Sequence, residues 1–208
     1  MPRDATTTRA RLIRAGERLF AREGIDGVRT RDLVAEAGQA NDSAVTYHFG
    51  SRQGLLLAVV DKHLRRMEEQ WKPALAVRDP GADLGELVTR IVTPLAEQLR
   101  TEDGRDFLRI TAQLAGRSGV RTASVPEPLT GTALAQWLAE LERRCVERCC
   151  AERLPRTIAR ERIALLITML TAALADRARR IEQGSRLPVG HKAFLATLIA
   201  MLAAGLAA

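Results

Sequence analysis

Apolar residues recur along this chain at helical spacing almost from its start, and no run alternates with polar residues over strand length. Over residues 7–22, Leu12, Gly16, Leu19 and Phe20 fall at i, i+4, i+7 and i+8, one stripe of an amphipathic helix. Gly24 follows as a left-handed cap. A second, shorter helix is expected over residues 31–37, capped by Thr30, with Leu33, Val34 and Ala37 inward. Gly38, Gln39 and Ala40 turn the chain, and Asn41 or Asp42 caps a third helix reaching His48. Ser51 opens a long fourth helix, buried along Leu55, Leu56, Val59, Val60, His63 and Leu64 and ending near Trp71, ahead of Pro73.

Pro and Gly divide the remainder into longer helices over about residues 84–100, broken or kinked at Pro94, and then 105–116 and 129–154. Another starts with Pro155 as its first residue and runs to about 183, and the last follows Pro188. Residues 117–127 form the longest expected loop. The fold class is all-α, about nine helices. A three-helix head (1–52) is joined through a linking helix (53–71) to a larger helical body (72–208).

Composition agrees: 46% of the 208 residues are hydrophobic but only 3% aromatic, so Leu, Ala, Ile and Val must build the core. The formal charge of +7 permits a nucleic-acid partner without establishing one, since residues 1–55 hold nine Arg against seven acidic residues. Placement matters more, and Arg9, Arg11, Arg14, Arg18, Arg22, Arg29, Arg31 and Arg52 are candidates for one basic face. Cys145, Cys149 and Cys150 read as small packing residues or a partly exposed thiol, with a redox or metal role as the alternative; no nearby His or second Cys pair completes a metal site. No cofactor and no metal are expected. The opening MPRDATTTRA has no apolar signal core, which predicts a cytoplasmic protein with reduced thiols. Residues 193–208 are uncharged, but too short and too Ala-rich for a membrane span.

A short helix, a Gly-containing turn and a second short helix over residues 30–52 make a helix-turn-helix, a unit that places its second helix in the DNA major groove. Val45 and Phe49, four apart, share the face that anchors this helix on the first one. Ser43, Ala44 and Thr46 point elsewhere and are small enough to let the backbone approach base edges. Tyr47 and His48 end the helix within reach of phosphates, and Arg52 with free amides at the start of the fourth helix makes a phosphate clamp. Thr30 offers the same at the second helix, beside Arg31.

The stretch from Thr30 to Leu64 resembles the DNA-binding signature of the tetracycline-repressor (TetR) family. It has a Thr-led second helix ending in Ala37-Gly38, then Tyr47-His48-Phe49-Gly50-Ser51-Arg52, then Leu55. Arg52 stands where the family usually has lysine. Eight residues separate Gly38 from Tyr47, about one more than the common pattern, and the extra residue falls around Gln39 to Asn41. Gln39 and Asn41 join the DNA-contact candidates on that basis, while acidic Asp42 reads as a cap.

The resemblance implies a body that dimerises and binds a small-molecule inducer. Residues 163–175 and 194–208 are apolar almost all round, which independently predicts burial on every face and a homodimer through the helices over about 156–183 and 189–207. A two-fold dimer sets two third helices about 34–36 Å apart on a palindromic operator. Candidate inducer contacts are Trp71, Phe107, Arg109, Gln113 and Trp137. The leading reading is an inducer-released repressor. A regulator that senses no ligand, or activates, is the second. An all-α enzyme is the third, for which no Ser-His-Asp set, HExxH, Walker loop or paired-carboxylate constellation supplies chemistry.

Overall fold

The computed structural model describes residues 2–41, 43–77, 81–116, 129–147 and 154–208. Asp42, Cys149, Cys150 and the expected loop over 117–127 lie outside the described residues. Among the described residues the fold is all-helical: α1 (Pro2–Glu23), α2 (Thr30–Glu36), α3 (Ser43–Phe49), α4 (Arg52–Ala76), α5 (Leu84–Glu97), a 3₁₀ turn (Gln98–Arg100), α6 (Glu102–Gly116), α7 (Ala133–Glu147), α8 (Arg156–Glu182) and α9 (His191–Ala207). No described helix is long and apolar enough to cross a membrane.

In the head, α1 and α4 pack closely because Gly16 leaves room. A Cβ there would lie 3.3 Å from the Val59 side chain. Leu12 and Phe20 are fully buried and Leu19 is half-buried, as the stripe requires. The N-cap of α2 is Arg29, not Thr30: the Arg29 amide donates to Asp32 Oδ2 at 3.0 Å, and Thr30 is the first helical residue. The turn after α2 depends on Gly38, whose φ of +66° is left-handed, while the Gln39 amide donates to Val34 O at 3.0 Å. Asn41 Oδ1 then accepts from the Ser43 amide at 2.9 Å and starts α3. Ser51 caps α4, its hydroxyl accepting from the Gly54 amide at 3.0 Å.

Both internal prolines are carried inside helices. At Pro73, α4 continues to Ala76, so the ring removes the bond an N–H there would give to the carbonyl four residues back, but only one turn before the helix ends. At Pro94 the ring frees the carbonyl of Arg90, and the Trp71 indole fills the gap, donating to Arg90 O at 3.2 Å. The Trp137 indole in turn donates to Trp71 O at 3.3 Å. These two buried tryptophans fasten α4, α5 and α7. Pro155 precedes α8 as its N-cap rather than opening it.

The body is built on α6 and α8, which lie along each other, with α7 against α8 and α9 against α5 and α8. Helix α1 also rests on α6, so one hydrophobic core runs from head to body.

Candidate nucleic-acid interface and interior cavity

Helix α3 stands on Val45, which is fully buried, and on half-buried Phe49. It packs on α4 and α2. Helix α1 contributes Arg9, whose guanidinium lies 5.1 Å over the Phe49 ring. With Val45 turned in, Ser43, Thr46 and Tyr47 are exposed on one side at i, i+3 and i+4, and Tyr47 is 81% exposed. Ala44 and His48 are half-buried, and the His48 ring packs edge-on against Tyr47 with centroids 4.9 Å apart. Arg31 and Asn41 are exposed, whereas Thr30 and Gln39 are half-buried. The outer surface is a short helix face of two hydroxyls and a phenol, with little steric bulk near its start.

Of the eight arginines expected on one basic face, three lie near carboxylates and Arg52 turns inward. Arg18 lies 3.6 Å from Glu36, Arg22 3.8 Å from Glu102, and Arg31 3.6 Å from Asp32. Arg52 turns inward, its guanidinium donating to the carbonyls of Ile25 and, at 3.4 Å, Val28. That side chain ties the start of α4 to the turn between α1 and α2.

Beneath α4 lies a partly open pocket of about 370 Å³ walled by α4, α5, α6, α7 and α8. Of the five residues expected around a ligand, only Phe107 borders it. Trp71 and Trp137 are occupied by the helix fastening above. Arg109 pairs with Glu182 at 2.8 Å across α6 and α8. Gln113 faces the head instead, its Oε1 accepting from the Ile25 amide at 2.8 Å and its Nε2 donating to Phe20 O at 3.0 Å. In this core those large or polar side chains are spent on helix-to-helix bonds. The actual walls are aliphatic, and Leu56, Val60 and Leu64, already legible as the buried stripe of α4, are among them.

Sequence reasoning missed a polar cluster between head and body. Glu17 occupies a core position of α1, and His63 one of α4. The His63 Nε2 donates to Glu17 Oε1 at 2.8 Å, and its ring stacks on Phe107 with centroids 4.5 Å apart. Lys62 Nζ lies 2.6 Å from Glu17 and 3.2 Å from Asp103, so a built-in cation already serves both carboxylates. Glu17, His63 and Asp103 are the three groups among the described residues close enough to share a metal ion, and Lys62 sits against two of them. Burial alone would raise Asp103, but hydrogen bonds from Thr101, Arg66 and Lys62 hold it well below the usual carboxylate range. Asp106, on α6, is pushed up to about 7 by burial and by the charge of Glu182, against the lowering pull of Arg22 and Arg109. One of its buried oxygens, Oδ1, has no hydrogen-bond partner. The helical pattern already sets His63 on the buried side of α4, and the signal for Glu17 is likewise available, since it interrupts the apolar stripe of α1 with an ionisable group. Cys145 is buried, as a packing residue would be.

Fold and site together define an all-α protein with a helix-turn-helix DNA-binding head. Residues 12–59 match the family model described as bacterial regulatory proteins, tetR family. No curated protein matches the chain. Among solved structures, a protein from Shewanella sp. PV-4 assigned to TetR-family transcription regulators is 17% identical over 93% of this chain and 97% of its own, with a TM-score of 0.56. One from Rhodococcus sp., likewise assigned, is 16% identical over 97% and 99%, with a TM-score of 0.54. The multidrug binding protein EbrR, solved with imidazole, is 22% identical over 93% of each chain, with a TM-score of 0.50. These structural likenesses show the fold, and the family match covers the DNA-binding head. Residues 12–59 form a tetR-family DNA-binding head, and the chain as a whole has the fold of solved structures assigned to that family.

Proposed function

We propose that the protein is a homodimeric repressor that holds a palindromic operator through α3 and releases it when a small molecule enters the cavity beneath α4. The observation that carries this reading is the build of α3, with Ser43, Thr46 and Tyr47 exposed over buried Val45. Ser43, Ala44 and Thr46 meet base edges, where hydroxyls donate or accept and methyl groups meet thymine. Tyr47, His48 and Arg31 lie beside the phosphates, with Thr30, Gln39 and Asn41 along the approach. Arg52 is better read as the residue that sets the angle between α4 and the head, because its guanidinium is already engaged.

Seven helical residues span only about 10 Å, so one α3 reads too few base pairs for useful selectivity. Pairing through α8 and α9 supplies the second. Leu165 and Met201 are more than half exposed in the single chain, and Ala193, Ala196, Ala200 and Ala204 form an uncharged outer stripe on α9. On this reading residues 1–52 are the DNA-binding domain, 72–208 the ligand-binding and dimerisation domain, the site of action is the cytoplasm, and no catalysis is involved.

A gel shift with the DNA flanking the gene tests the reading. A defined fragment should be retarded by the dimer, with log affinity falling about 0.9 per neutralised phosphate for each decade of salt. No shift with any upstream fragment, from a verified dimer, removes the regulator reading.

A further inference from the structure

The cavity beneath α4 has a chemical character that restricts what it can hold. Along α4 its wall runs from Gln53 to Leu64, about 16 Å at 1.5 Å per residue, so the space is elongated. Thirteen of the eighteen lining residues are Leu, Ile or Val, and among the described residues no charged side chain borders the pocket. A buried charge without a partner costs several kcal/mol, so neither an ammonium nor a carboxylate is matched against the aliphatic wall away from the exposed Gln53 end.

Among the described residues, only Gln53, Thr111 and Thr171 bring polar groups to the lining. The two threonine hydroxyls already donate within their own helices, Thr111 to Leu108 O at 2.8 Å and Thr171 to Ile167 O at 2.8 Å. Each therefore offers a guest its lone pairs and no proton. Gln53 stands at the exposed end, two residues after the Ser51 cap where α4 leaves the head. Its amide makes no hydrogen bond among the described residues.

We infer that the effector is a slender, uncharged, mainly aliphatic molecule bearing a hydrogen-bond donor, a hydroxyl or a primary amide, which the threonine oxygens or Gln53 accept. This rests on the reading of the cavity as the effector site. Its polar end, if held by Gln53, lies where α4 departs from the head, so occupancy bears directly on the angle of α3.

The test uses the full-length protein and a matched series: decanol, decanamide, decyl methyl ether, decanoate and decylammonium, titrated by calorimetry with and without operator DNA. Decanol and decanamide should bind, and both ions should bind at least about tenfold more weakly. The ether, lacking the donor, should lose roughly two- to tenfold against decanol. Among Gln53→Leu, Thr111→Val and Thr171→Val, tested singly and together, at least the combined variant should erase that alcohol-to-ether gap while retaining ether binding. Equal binding of either ion, a wild-type ether as tight as decanol, or an unchanged gap in the combined variant each overturns the inference. So does failure of both neutral donors to bind a protein that shifts its operator. Decanol binding with no DNA shift would support the ligand class while removing the repressor reading, so the two failures are distinguishable.

Discussion

Gln113 closes a bond from the body to the head: its Oε1 accepts from the backbone amide of Ile25 at 2.8 Å, across 88 positions of sequence. The same side chain donates to Phe20 O at 3.0 Å, so one amide group satisfies both a donor and an acceptor where α1 gives way to the turn before α2. Helix α6 thus touches the cavity with Phe107 and Thr111 and grips the head with Gln113. Removing the amide leaves a part-buried N–H without its partner, at a cost of about 1–3 kcal/mol. Gln113→Leu should lower the melting temperature accordingly. It should also weaken the effect of any bound ligand on operator affinity, read as the ratio of DNA dissociation constants with and without ligand. An unchanged ratio would show that the grip carries no coupling.

Asp106 predicts an unusual pH dependence. Its folded-state pKa, near 7, lies above the ordinary value of 3.8, so the native protein holds a proton that the unfolded chain releases. Stability from this group is fully present below about pH 4 and is lost as pH rises through 7. The facing charges are Glu182 on α8, Arg22 on α1, and Glu102 and Arg109 on α6. Asp103 and Glu140 act oppositely, since their lowered values remove stability only in more acidic solution. Asp106→Asn should flatten the melting-temperature profile as pH rises through 7 and add about 1–3 kcal/mol at pH 8. A wild-type profile that is already flat there would contradict this.

Arg52 separates a structural role from a DNA contact. With its guanidinium on the carbonyls of Ile25 and Val28, Arg52→Ala should cost about 1–3 kcal/mol of stability through two unpaired acceptors. The salt slope of DNA binding should stay the same, because no phosphate contact is removed. A slope reduced by about one, with melting unchanged, would return Arg52 to the phosphate clamp.

What the sequence disclosed and what it hid follow one physical division. Periodicity and caps report local events, so the helices, the Gly38 turn and the Ser51 cap were legible. Pro73 and Pro94 were read as breaks because the local rule assigns each a lost hydrogen bond. Nothing local reveals that the indole of Trp71, nineteen positions away from Arg90, fills the vacancy before Pro94. The cavity was hidden for the same reason. Side-chain type pointed to Trp71, Arg109, Gln113 and Trp137, but which polar groups remain free depends on partners far away in sequence. Arg52 was drawn inward by two carbonyls that no spacing predicts.

The exposed apolar face of α8 and α9 predicts the assembly. Leu165, 54% exposed in the single chain, should be covered by the partner copy. Leu165→Glu should yield a monomer in sedimentation experiments, with helicity retained, because a buried unpaired charge forbids the pairing. Operator binding should fall with it. A variant that remains dimeric would place the interface elsewhere.

The most direct test is fluorescence anisotropy with an operator duplex, comparing wild type with Tyr47→Ala and Thr46→Ala. Both side chains are exposed, so melting should change by no more than about 0.5 kcal/mol in either variant. The account predicts that Tyr47→Ala weakens binding to all sequences and lowers the salt slope, and that Thr46→Ala changes which operator is preferred by about 1–3 kcal/mol per base pair. Unaltered affinity, slope and preference in both variants would contradict α3 as the DNA-reading helix.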